Sequence, residues 1–314
     1  MSADTKIEYL TKTWNPIAMR CTKVSEGCRN CWHLAMAKRH AANPTIRPDV
    51  RAARAGGKPF LNVDELRAPL YWKKKQRIGV QYMGDLFHED ISDEDLFAVW
   101  DIFDQTTHDY LVLTKRPQRM HDFLRALNEQ MPNVWLGVSC ENQQAADERI
   151  PLLLQTPAAV RFVSVEPMLG PVDLGKSCGC GYYCDPAEDG YGHHDHPFWT
   201  PGRRAPIDWV VCGGESGPGA RPMHPDWVRS SRDQCAEAGV PFLFKQWGEW
   251  FPRDQWKHNP DLILPDDDAA YRETSRTHLF EDMNRSLPVH RVGKKAAGRV
   301  LDGRTWNEMP AVTR

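Results

Sequence analysis

Between Ile78 and Phe244 one phrase recurs: a run of four to six mostly apolar residues, a polar turn, then a segment of helical length. The runs are Ile78–Met83, Asp109–Leu113, Val134–Val138, Val160–Val165, Asp208–Cys212 and Pro241–Phe244. Short apolar runs rich in Val, Leu and aromatics are what strands buried on both faces look like. Between them Asp93–Thr106, Gln118–Glu129, Gln143–Gln155 and Pro225–Ala238 read as helices, with Ser92 as an N-cap and Gly239 closing the last. Ile7–Trp14 alternates, supplies a seventh strand and is stopped by Asn15-Pro16. Strands that alternate with helices imply a parallel sheet, because parallel neighbours need a crossover. The expected fold is therefore α/β, a full or partial (β/α) TIM-like barrel, with an open doubly wound sheet as the alternative. Two further helices are expected at 31–42 and 64–76, with an exposed Pro-, Gly- and Arg-rich loop at 45–60. A length of 314 residues suits one barrel-like catalytic domain, 1–250, with an insertion at 175–206 and an irregular extension at 251–314.

The strand ends are where chemistry is expected. They carry Asp85, Lys115, Arg116, Ser139, Glu141, Asn142, Glu166, Glu215, Ser216, Lys245 and Gln246. In barrel enzymes the active site lies on the C-terminal face of the strands. Loops are polar in any protein, but Glu166 and Lys245 abut apolar runs directly. Glu166 and Glu215 are candidates for acid/base work, and Lys115, Arg116 and Lys245 for holding an anionic group. The structural alternative is a set of ion pairs to Asp85, Glu166 or Glu215.

Lys plus Arg is 40 and Asp plus Glu is 42, a formal charge of −2. This excludes binding of nucleic acid by overall charge and leaves a local basic groove open. The first residues lack an apolar leader, and no stretch approaches the ~18 apolar residues that cross a bilayer. A cytoplasmic protein without a membrane partner is expected, and in that compartment nine cysteines speak for metal or catalysis more than for disulfides. Three of them, Cys21, Cys28 and Cys31, follow the first strand with C-x6-C-x2-C spacing. Thiolates ligate iron–sulfur clusters and zinc. A cubane cluster held by three cysteines keeps one iron open, whereas structural zinc wants four protein ligands. The nearest fourth ligand is His33, and the third alternative is a set of unrelated buried cysteines. The insertion holds a second set, Cys178, Cys180 and Cys184 followed by His193, His194 and His196, suited to zinc or an auxiliary cluster in a segment with little core of its own, with a flexible loop carrying incidental histidines as the alternative.

TWNPIAMRCTKVSEGCRNCW, MGDLFHED, VLTKRP, WLGVSCENQ, SVEPMLGP, VVCGGESGPGARPMHPDWV and PFLFKQWGEW, with GKKAAGRVLDGRTWNEMP near the end, together resemble a phage-associated family described as a domain of unknown function. That family is similar in turn to radical S-adenosylmethionine (SAM) enzymes. The resemblance implies a [4Fe-4S] cluster on Cys21, Cys28 and Cys31, SAM chelated at the open iron, and a 5′-deoxyadenosyl radical. It implies SAM contacts from Gly84, Asp85, Ser139 and Glu141, and likens Gly213-Gly214-Glu215 to a glycine-glycine-glutamate element of those enzymes, here on a late strand. The usual spacing there is C-x3-C-x2-C, with an aromatic before the last cysteine; this chain has a gap of six and Asn30.

The expected activity is thus that of a radical-SAM-like enzyme acting on a phage nucleotide or modified DNA base in the host cytoplasm, with an external electron donor. Basic pieces at Lys73–Arg77, Arg203-Arg204 and Lys294–Arg304 permit a nucleic-acid substrate. The alternatives are a zinc-binding, non-catalytic nucleic-acid-binding or host-interaction protein, and a barrel hydrolase using Glu166 and Glu215.

Overall fold

The computed structural model describes residues 3–127, 130–175, 207–259, 262, 276–282 and 285–311. The fold is mixed α/β, and the chain divides into two units. One comprises Met1–Ser139 and Glu148–Phe162, the other Cys140–Asp147 and Val163–Ala311.

The first unit opens with β1 (Ala3–Asp4), β2 (Lys12–Trp14) and the short pair β3 (Ile17–Ala18) and β4 (Phe60–Leu61). Helices α1 (Trp32–Ala42) and α2 (Pro48–Ala55) lie between β3 and β4 in sequence, and α3 (Val63–Leu66) follows. Then come β5 (Arg77–Val80), α4 (Asp93–Asp104), β6 (Asp109–Thr114), α5 (Pro117–Leu127) and β7 (Val134–Ser139). Strands β2, β5, β6 and β7 are parallel and stand in chain order. Their register lines up Trp14, Val80, Val112 and Leu136 as an apolar row. A doubly wound sheet reverses its strand order at a switch point; this run has none, so that alternative falls. Helix α4 shows why the rhythm was readable. Ser92 accepts the Asp95 N–H at 3.1 Å, three acidic residues fill the first turn, and Leu96, Val99, Trp100 and Phe103 share the buried face. Phe103 packs on Tyr110 and Trp14 at centroid distances of 4.3 and 6.0 Å.

Three sequence expectations change here. The first strand is shorter, because Ile7–Leu10 closes a turn (Leu10 N–H to Ile7 O, 3.0 Å). No continuous helix spans 64–76: α3 stops and Pro69, which has no N–H to extend the ladder, sits in a 3-10 turn at Ala68–Tyr71. The expected loop at 45–60 contains α2, started by Pro48 and ended by Gly56 at φ +112°.

Elements shared by both units are α6 (Gln143–Gln155) and β8 (Val160–Val165). The second unit continues with β9 (Trp209–Gly213), α7 (Pro225–Ala238) and β10 (Phe242–Gln246). Parallel β9 and β10 set Val210, Val211 and Cys212 against Phe242, Leu243 and Phe244, all buried. The expected irregular extension is instead partly β: β11 (Trp250–Pro252), β12 (Thr277–Asp282) and β13 (Arg285–Arg291) form an antiparallel sheet, and β14 (Val300–Leu301) and β15 (Arg304–Thr305) a hairpin after α8 (Lys294–Ala297).

Within each unit the outermost parallel strand is covered antiparallel. Beside β2 lies β1, and β10 takes the tail through the Leu243–Asn307 bridge, with Phe244 N–H to Trp306 O and Glu308 N–H to Phe242 O both at 3.1 Å. These covers satisfy exposed edges. A full barrel needs those edges for closure, so the full-barrel expectation is corrected. Among the described residues no helix is long and apolar enough to cross a membrane.

The β14–β15 turn holds a dense polar knot. Asp302 and Gly303 both have positive φ, +50° and +80°, as a type I′ hairpin turn requires. The Asp302 carboxylate accepts from Arg229 Nη2 at 2.9 Å, Arg232 Nη1 at 2.6 Å and Gln255 Nε2 at 2.7 Å. Burial pushes its pKa up, but these donors outweigh burial and hold it well below the usual carboxylate range. Its stabilisation is therefore present above the unfolded-state value of about 3.9 and lost as pH falls through the lower folded value. Asp302→Asn, which tolerates the same backbone, is expected to cost about 1–2 kcal/mol at pH 7. In urea titrations the gap to wild type should narrow as pH falls below about 4; a gap independent of pH would show that the charge contributes nothing.

Candidate functional site

The cysteine loop begins where β2 ends, and β5 holds its base. Asn15 Oδ1 accepts the Met83 N–H at 2.7 Å. Gln81, at φ +55°, brackets Ile17: its Nε2 donates to Ile17 O at 2.7 Å and its Oε1 accepts the Ile17 N–H at 3.2 Å. From α2, buried Arg54 donates through Nη1 to Met19 O at 3.2 Å and Met83 O at 3.0 Å. Burial lowers the Arg54 pKa to about 10, and the group stays charged at neutral pH. A Cβ on Gly84 would stand 2.6 Å from Met19 Sδ, so loop packing by itself accounts for this glycine.

Above this base, Arg116 gathers the loop and two strand ends. It lies two residues past the end of β6 and donates to Asp85 Oδ2 at 3.1 Å, Glu89 Oε2 at 2.6 Å, Thr22 Oγ1 at 2.6 Å and the Cys21 thiol at 3.7 Å. Asp85 is fully engaged: Oδ1 accepts from the Phe87 N–H and the Thr114 hydroxyl, Oδ2 from the Lys115 N–H and Arg116. Thr22 passes its own hydroxyl proton to Glu89 Oε1 at 3.1 Å. Burial raises the Glu89 pKa, yet the bond from Arg116 prevails and brings it to about 2. His88 Nδ1 faces the Asp90 N–H at 3.2 Å, and Nε2 faces both the Thr22 N–H at 3.3 Å and Thr22 Oγ1 at 2.9 Å. Burial, then Arg116, lowers the His88 pKa and favours the neutral ring. Sequence reasoning missed Thr22, His88 and Glu89, although MGDLFHED carried the last two.

The thiols Cys21, Cys28 and Cys31 are unbridged, the first and third half-buried and the second buried. Cys28 ends a 3-10 turn (Glu26–Cys28), and Cys31 is the N-cap residue of α1. Burial and Asp85 push the Cys21 thiol up to about 11 against the pull of Arg116. Among the described residues no three His, Cys, Asp or Glu side chains are gathered so as to hold a metal ion. His33, the nearest fourth ligand, turns Nε2 to the Cys21 N–H at 3.3 Å. Burial and Arg54 hold this ring neutral, with a pKa near about 4. Two buried donors beside the loop, His33 Nδ1 and Arg54 Nε, have no hydrogen-bond partner among the described residues.

Lys115 reaches from the end of β6 to Ser139 Oγ at the end of β7, and the Ser139 carbonyl accepts from Arg149. In the second unit, Glu166 pairs with Lys245 at 3.0 Å and accepts the Ser164 hydroxyl at 3.3 Å. Glu215 accepts three bonds from Arg221, two from the guanidinium (2.8 and 2.7 Å) and one from the backbone N–H at 2.8 Å. That engagement weakens the hydrolase reading. Gly214 answers to packing, since a Cβ there would lie 1.9 Å from Trp247 O; at Gly213 a Cβ would meet only the end of the Glu166 side chain, 2.7 Å from Oε1. Glu141 is buried, and its carbonyl accepts the Leu169 N–H at 2.8 Å. Cys140, Cys212 and Cys235 are buried packing thiols. Cys178, Cys180, Cys184, His193, His194 and His196 lie outside the described residues.

The sequence model of a family described as "Protein of unknown function (DUF5131)" matches residues 4–310. No curated protein matches the chain. No solved structure matches it either.

Asp85 and Arg116 are a nearly buried pair, with side-chain exposures of 7% and 10%. Asp85→Asn puts an amide N–H₂ among donors and strips Arg116 of its buried counter-charge. A loss of about 3–5 kcal/mol is expected in urea unfolding. A loss below about 1 kcal/mol would show that Arg116 does not depend on Asp85.

Proposed function

The chain belongs to that family over nearly its whole length, and on that premise we propose that it is an iron–sulfur enzyme of the radical-SAM kind, folded as a partial barrel of that type. Cys21, Cys28 and Cys31 would hold a [4Fe-4S] cluster. SAM bound at the open iron would supply a 5′-deoxyadenosyl radical for hydrogen abstraction from substrate. The observation that carries this reading is the placement of three unbridged thiols on a loop pinned to the C-terminal ends of β2, β5 and β6. Strand ends of this kind are where α/β enzymes assemble their chemistry.

In this reading the chain's own groups have separate tasks. Arg116 orients Cys21 and Thr22 and donates an N–H to sulfur, a contact that tunes thiolate-ligated metal centres. Asp85 holds Arg116 in place. Within the first unit, Gly84 and Ser139 remain candidates for SAM contacts. Lys115, Glu166, Glu215 and Lys245 remain candidates for catalytic work, although each already has a partner. The substrate class is a nucleotide or DNA base, the setting a phage or prophage protein in the host cytoplasm, and an external electron donor is required. The insertion would add zinc or an auxiliary cluster.

Anaerobic reconstitution with iron and sulfide tests the proposal. About four iron ions per chain are expected, lost when Cys21, Cys28 or Cys31 is changed to Ala, and 5′-deoxyadenosine should form after reduction with SAM. A colourless protein with stoichiometric zinc would end the cluster reading. A brown protein that never yields 5′-deoxyadenosine would remove the radical.

A further inference from the structure

The charge of the chain is unevenly spread. Residues 20–58, which hold the cysteine loop and helices α1 and α2, contain nine Lys and Arg against two Asp and Glu, a surplus of seven in a chain whose total is −2. The two acids are already engaged, Glu26 near Arg29 at 3.7 Å and Asp49 with Arg47 at 2.6 Å. Arg20, Lys23, Lys38, Arg39 and Lys58 are exposed and have no carboxylate within ion-pair distance among the described residues. Arg20 donates to Ala55 O and Lys23 to Arg29 O, both carbonyls.

Apolar surface accompanies this charge. Trp32, next to Cys31, is 53% exposed, and Val24 on the loop is 45% exposed. On α1 the exposed positions Trp32, Ala35 and Arg39 recur at spacings of three and four, so they form one stripe, while His33 and Ala37 are buried. The positive field is felt locally: burial first, then Arg54 and Arg39, lowers the His40 pKa.

We propose that this face, formed by the cysteine loop and the outer stripe of α1, binds single-stranded nucleic acid, with Lys38, Arg39 and Lys23 on phosphates and Trp32 stacking on a base. This deepens the nucleotide or DNA-base part of the function proposed above and rests on it for the choice of substrate. Basic side chains interleaved with an exposed indole are the combination that single strands select: charge follows the backbone, and the ring accepts any base. A stable duplex offers no free base to the indole, so it should bind more weakly.

The test is fluorescence anisotropy with a labelled oligodeoxythymidine of about 20 nucleotides and the full-length protein. Binding is expected to weaken steeply between about 50 and 200 mM salt. Lys38→Gln with Arg39→Gln should flatten the log–log salt slope by about 1.4, two phosphates at about 0.7 each. Trp32→Ala should weaken binding roughly tenfold with the slope unchanged. Circular dichroism of both variants guards against misfolding, and all the changed side chains are exposed. No binding at low salt, or binding that neither variant alters, overturns the proposal. Competition by polyglutamate as effective as by the strand, with no effect of Trp32→Ala, also overturns it and assigns the face to an acidic protein. Iron is assayed on the same samples. Strand binding by iron-free protein leaves this inference standing and defeats only the cluster, whereas iron-loaded protein that ignores the strand defeats only this inference.

Discussion

One buried carboxylate organises the first unit. Asp85 has been taken out of water, and a carboxylate in that position must find donors for all its lone pairs. It finds two backbone N–H groups, one hydroxyl and one guanidinium. Those donors come from the turn after β5 and from the end of β6, so the two strand ends are fixed relative to each other by a single side chain. Arg116, neutralised there, has its remaining N–H groups free to reach Thr22, Glu89 and the Cys21 thiol. The cysteine loop is thus held at both levels: Asn15, Gln81 and Arg54 fix its base, and Arg116 its upper part.

The parallel strands were legible because buried strands need apolar residues on both faces, and few other segments of such length do. Helix α4 was legible for the same reason joined to its cap. Helix α2 was not, since PDVRAARA has the composition of a solvated loop while Arg54 is buried and donates to carbonyls. The helix expected at 64–76 failed on Pro69, a local rule that should have outweighed the polar pattern around it. At the site, the cysteines and Asp85 stood out by type and position. Thr22, His88 and Glu89 did not, because their roles depend on partners 27 to 94 residues away, and no pairing of that range can be read from spacing.

The glycine-glycine-glutamate stretch shows how a motif divides under inspection. Gly214 and Gly248 exist because two backbones meet: a Cβ on either would lie within about 2.1 Å of a carbonyl of the other segment. The bonds Gly214 N–H to Gln246 O and Glu249 N–H to Glu215 O close that meeting at 2.9 and 3.0 Å. The VVCGGES and KQWGEW stretches therefore specify one another. Glu215 is then spent on Arg221, which keeps the turn in shape. Glycines placed by close packing do not argue for a cofactor, and the weight of the functional reading rests on the first unit.

Arg54 connects the two proposals. Its guanidinium is buried and, among the described residues, meets only carbonyl oxygens and leaves Nε without a partner. A buried charge without a counter-charge costs several kcal/mol, so its presence needs a reason. Three thiols stand on the loop that Arg54 supports. As thiolates on a cluster they would bring the negative charge this region lacks. The same surplus continues outward through Lys38 and Arg39, where water screens it and its natural partner is a phosphate. A positive interior beneath the cysteines and a positive surface around them thus follow from one sequence segment. The interior charge suits an anionic metal centre, and the exterior charge suits the polyanion on which that centre would act.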